Sequence, residues 1–127
     1  MRWIVITAAL GALSTGTAGW AAQDVTEGFS PAYQTCITYG ETHNTTAIPA
    51  AECNARELRS QDARLNRSYK AAMARLPAKR QAELRADERA WIAKRDLSCG
   101  RSVDPDDRTE CIIAATIKRI RYLDAVR

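Results

Sequence analysis

From Pro49 to Leu76, apolar side chains recur at spacings of three, four and seven: Leu58, Leu65, Tyr69, Ala72, Met73 and Leu76. That is one stripe of a 3.6-residue helix. Arg56, Arg59, Arg64, Arg67 and Lys70 fall mostly off it. Pro77 ends the run and can open the next helix. A second helix is predicted to Cys99, its inner side formed by Leu84, Glu88, Trp91, Arg95 and Cys99, widened by Ile92, with Gly100 placed to stop it. Asp104-Pro105-Asp106-Asp107 then reads as a helix start: a capping Asp, a first-turn proline, and two acids at the positive end of the helix dipole. The third helix runs to about Val126 on Ile112, Ile113, Thr116, Ile117, Ile120 and Leu123.

Short connections make neighbouring helices antiparallel. Residues 49–127 are therefore expected to form an all-α, up-down-up three-helix bundle. Residues 22–48 are rich in small and polar side chains and read as mostly irregular, with a short helix near 31–39. Ser30-Pro31 would cap that helix and Gly40 would end it. No strand alternation competes.

The first residues belong to a different kind of segment. Arg2 is followed by an apolar run from Trp3 to Leu13 and then by small residues up to Ala21-Ala22. Positive, apolar, small is the order of a secretory signal peptide. Residues 1–21 are read as a cleaved leader, with cleavage after Ala22 as the alternative. The apolar core is shorter than the roughly 20 residues a membrane span needs, so no stable span is expected after cleavage. Export makes the four cysteines, Cys36, Cys53, Cys99 and Cys111, two disulfides. A zinc site is disfavoured, because no Cys-x-x-Cys pair exists and His43 is the only histidine. In the bundle all four cysteines gather at one end, where three connectivities are open. Cys36–Cys53 with Cys99–Cys111 is favoured, since each closes a short local loop.

The formal charge of +4 is mild, and acids alternate with bases along the helices. With export, this argues against nucleic acid as a partner. Asp62, Glu88, Arg95 and Arg119 lie on or beside apolar stripes. They are expected to form an interhelical ion-pair network that sets helix register, with Trp91 as a core anchor and Asn66 and Tyr69 ordering the same interface through hydrogen bonds. No phosphate loop, serine elbow, metal triad or placed histidine base is present, so no enzyme and no cofactor is expected.

Three blocks carry a resemblance: Asp62-x-x-Leu65-Asn66-x-x-Tyr69 after Cys53, Ala90-Trp91-Ile92-x-x-Arg95-Asp96-x-x-Cys99, and Thr116-x-x-Arg119-x-x-x-Leu123 after Cys111. In combination they resemble the LprI-like lysozyme-inhibitor N-terminal domain family over about Cys36 to Leu123. Members often carry Gln three positions before the Trp; Glu88 stands there in this chain. The resemblance implies a small helical domain, periplasmic or secreted, that binds a protein partner, with lysozyme as the named candidate. Arg101, Ser102 and Val103, between two cysteines, are the candidate binding loop. The competing expectation is a structural or stress-related envelope protein that binds peptidoglycan, anionic lipid or another envelope protein.

Overall fold

A computed structural model describes residues 28–43 and 49–127. The leader expected at 1–21 and its cleavage site lie outside them. The described chain forms four helices: α1 (Pro31–His43), α2 (Ala50–Arg75), α3 (Ala78–Cys99) and α4 (Pro105–Ala125). Among these residues no strand occurs, and no helix is long and apolar enough to cross a membrane.

The three long helices start and stop where the chain's signals place them. Asp104 caps α4, its carboxylate accepting from the backbone N–H groups of Asp106 and Asp107. Ser30 Oγ accepts from Tyr33 N–H at 3.1 Å and caps α1. Pro49 and Pro77, both extended, immediately precede α2 and α3.

The helix count is one correction to the three-helix expectation. The short helix runs past Gly40 to His43 and packs on α2 as a full member of the bundle. Its direction is antiparallel to α2, because Ser30 meets Glu57, Tyr33 meets Asn54 and Cys36 meets Cys53. The main interface is between α2 and α4. These two run parallel, with Asn54 beside Glu110 at one end and Arg75 beside Leu123 at the other. Packing antiparallel on α4, α3 makes little contact with α2.

The apolar core lies toward the α2–α3 turn and comprises Leu65, Ala72, Leu76, Leu84, Ile120 and Leu123, flanked by Tyr69, Met73, Trp91 and Val126. Burial of each such Leu or Ile is worth about 1.5–3 kcal/mol. The turn itself has no disulfide but is tied by side chains. Gln81 Nε2 donates to the carbonyls of Met73 and Leu76, both at 3.0 Å. Arg75 donates to the carbonyls of Leu123 and Val126, which satisfies two acceptors at the end of α4. Midway along the bundle the segment entering α1 lies tight on α4: a Cβ on Gly28 would overlap Ile117 Cγ2.

Candidate functional site

The first turn of α2, the last of α3 and the first of α4 share one end of the molecule, and both disulfides cross-link it. Cys36 is bonded to Cys53, and Cys99 to Cys111. Cys53 and Cys99 are buried, whereas Cys111 is exposed. Between Cys99 and α4 runs the connection that contains Arg101, Ser102 and Val103. It is braced from within: Ser102 Oγ accepts from Asp104 N–H, and Arg108 Nη2 donates to the Ser102 carbonyl at 2.8 Å. Val103 is 97% exposed and Leu97, on the last turn of α3, is 68% exposed. An apolar knob held on a covalently closed, hydrogen-bonded loop has little flexibility left to lose. Exposed Arg101 adds a guanidinium next to it.

The expected charged network is present only in part. Arg119, 8% exposed, donates from Nε to Glu88 at 2.8 Å and from Nη2 to Asp87. Burial works against the Arg119 charge, but the hydrogen bonds to Asp87 and Glu88 outweigh it and hold its pKa above the usual guanidinium value. Arg95 does not join this set; it pairs with neighbouring Asp96 and lies 5.0 Å from the centre of the Trp91 ring. Arg119 also approaches Trp91, at 5.4 Å, and Tyr122, at 4.4 Å. Trp91 is half-buried, packed against the apolar core and approached by both guanidiniums.

Asp62 and Asn66 correct the expectation outright. Both are exposed, and neither makes a side-chain hydrogen bond or ion pair among the described residues. The cause is that α3 leans on α4, so the strip of α2 carrying Asp62 and Asn66 is left in solvent. The second acid reaches Arg119 from α3 itself, as Asp87. Tyr69, on α2, is half-buried against the apolar core.

A second polar cluster lies between α1 and α2. Glu57 is 2% exposed; its carboxylate accepts from Ser30 N–H at 2.9 Å, Ser30 Oγ at 2.5 Å and Gln61 Nε2 at 2.6 Å. Gln61 Nε2 and Arg64 Nη1 both donate to the Gly28 carbonyl. Tyr33 Oη donates to Asn54 Oδ1 at 2.9 Å, and Asn54 Nδ2 reaches Glu110. Burial first, then the nearby charges of Glu110, Glu57 and Asp106, push the Tyr33 phenol above its ordinary pKa. A shallow cavity of about 200 Å³ opens over this cluster beside the Cys36–Cys53 bond. Sequence reasoning missed these residues. Their signal is a gap: Asn54, Glu57 and Gln61 continue the inner stripe of α2 where apolar residues would be expected between Cys53 and Leu65.

Compared with known families, residues 39–123 match the model described as lysozyme inhibitor LprI. The chain belongs to the LprI family. No curated protein and no solved structure matches it. The family match runs from late α1 nearly to the end of α4, and it contains Cys53, Cys99 and Cys111 but not Cys36.

In this LprI chain the charges are sorted along the bundle. The helix pairings place residues 49–63 and 92–116 in the disulfide half, with eight carboxylates against six Lys and Arg. Residues 64–91 and 117–127 form the other half, with four carboxylates against twelve. The braced loop with Val103 therefore stands at the acid-rich end, although the whole chain is basic.

Proposed function

We propose that this protein is a periplasmic or secreted lysozyme inhibitor that binds its target through the disulfide-clamped end. Two disulfides and membership of the LprI family support an extracytoplasmic protein that acts on a protein partner. The observation that carries the placement is Val103, fully in solvent on a loop fixed by Cys99–Cys111, Ser102 and Arg108. Lysozymes work with two carboxylates flanking a cleft. Val103 supplies an apolar plug for the cleft, and Arg101 a cation for its acids. Around them stand Asp104, Asp106, Asp107 and Glu110, a ring of acids suited to the basic rim that many lysozymes present. A basic chain meeting a basic enzyme would otherwise suffer repulsion. Approach by the acid-rich end turns the local field attractive. Inhibition is by occlusion and needs no chemistry from the inhibitor.

Turbidity clearing of a cell-wall suspension tests this. Lysozyme activity falls at micromolar excess of the protein, and the inhibition weakens at high salt because the attraction between acid ring and basic rim is screened. Undiminished lysis at that excess, at both low and high salt, would remove the proposal.

A further inference from the structure

The half of the bundle away from the disulfides carries positive charge that no carboxylate among the described residues pairs. Of its four carboxylates, Asp87 and Glu88 are engaged by Arg119 and Glu83 by Arg80, which leaves exposed Asp124 as the single remaining acid against the other cations. Arg67 and Lys70 on α2, Lys79, Arg85 and Arg89 on α3, and Lys118 on α4 are all exposed and make no ion pair among the described residues. At the tip, Lys70 and Lys79 lie six and three residues from Leu76. At 1.5 Å of rise per helical residue, that is within about 9 Å of the turn. This distance is close to one Debye length at physiological salt, so these charges act on a surface met by the tip. Arg75 adds a third: its partners are the neutral carbonyls of Leu123 and Val126, so its charge stays uncompensated.

We infer that this end docks on an anionic phospholipid bilayer, with the α2–α3 turn toward the headgroup phosphates. Charge complementarity argues for the surface, and the arrangement argues for its shape. The unanswered cations come from three different helices around one end. None of them lines the small pocket at this end, which forms around Leu76, Leu84 and Tyr122. A planar sheet of phosphates meets such an end as a whole, with about 1 kcal/mol for each Lys or Arg near the surface. Docked this way, the 26-residue α2 holds the opposite end about 40 Å from the turn. The acid-rich, disulfide-clamped end then projects away from a like-charged membrane, which would repel it. The inference stands on charges remote from Val103 and does not depend on the lysozyme reading.

Vesicle flotation with the exported, oxidised protein tests it, using phosphatidylcholine alone and phosphatidylcholine mixed with phosphatidylglycerol. The protein floats with the mixed vesicles at low salt, stays free with phosphatidylcholine, and is released at high salt. Replacing Lys70, Lys79 and Arg85 together with Gln touches only exposed side chains and lowers the vesicle affinity at least twentyfold, about fivefold for each of Lys70 and Lys79 beside the turn and less for Arg85 further along α3. Replacing Arg56, Arg59 and Arg101 with Gln, at the other end, leaves it unchanged; circular dichroism checks that both triple variants fold. Equal binding to both vesicle types would overturn the inference. So would equal effects of the two triple variants, or capture by soluble polyphosphate without binding to the mixed vesicles.

Discussion

Arg119 and Asp62 both look from the sequence like members of one charged core, and the structure separates them. Arg119 is enclosed with Asp87 and Glu88, so its removal leaves Glu88 nearly buried without its cation. Breaking a buried pair from one side costs about 3–5 kcal/mol, and Arg119→Ala should lower unfolding stability in urea by that order. Asp62 is exposed with no partner among the described residues, so Asp62→Ala should change stability by no more than about 0.5 kcal/mol in the same measurement. What misled the reading at Asp62 is its place beside Leu58 and Leu65: a helix stripe tells which face is inner but not which neighbour it meets. Tyr33 yields a prediction in pH. Its raised pKa means the folded protein keeps the phenolic proton where the unfolded chain has released it. Its contribution to stability is therefore complete below about pH 10 and is lost as pH rises through the folded value. An absorbance titration should show a phenol ionising late, and Tyr33→Phe should abolish that phase and flatten the alkaline loss of stability.

At the scale of elements, the long helices were legible because periodicity, prolines and the Asp104 cap all agree on their limits. Helix α1 was legible as a helix but not as a partner in the bundle. Its anchorage is not an apolar stripe: it is held by the Cys36–Cys53 bond, by Ser30 on Glu57 and by Tyr33 on Asn54. Polar residues on an inner face read as solvent positions unless their partners are known, and here the partners come 21 to 27 residues earlier in the chain. The approach to α1 is correspondingly exacting at Gly28. Gly28→Ala should cost about 1–3 kcal/mol, since its Cβ would overlap Ile117 and the segment must shift. The loss should appear as a lowered thermal midpoint. Replacing Cys99 and Cys111 together with Ser should cost about 3 kcal/mol, chiefly by freeing the unfolded chain, and should also loosen the loop that presents Val103.

Across the whole molecule, the short up-down-up connections put every cysteine at one end, and the same geometry sorts the charge. The family motif was readable in the chain, while the polarity was not. Acids and bases alternate along each helix and add up to a modest net charge until the helices are aligned side by side. Once aligned, the molecule has an acid-rich, rigid, apolar-tipped end and a basic end. Those two ends suit a basic protein target and an anionic surface respectively. The placement of the lysozyme contact at Val103 is tested most directly by the Kd for lysozyme of the wild-type protein, of Val103→Asp, and of the Lys70, Lys79 and Arg85 triple Gln variant. Burial of a valine is worth about 1.5–3 kcal/mol, so Val103→Asp should weaken binding at least tenfold while the triple variant binds as the wild type does. A Val103→Asp protein that binds lysozyme with the wild-type Kd would contradict that placement.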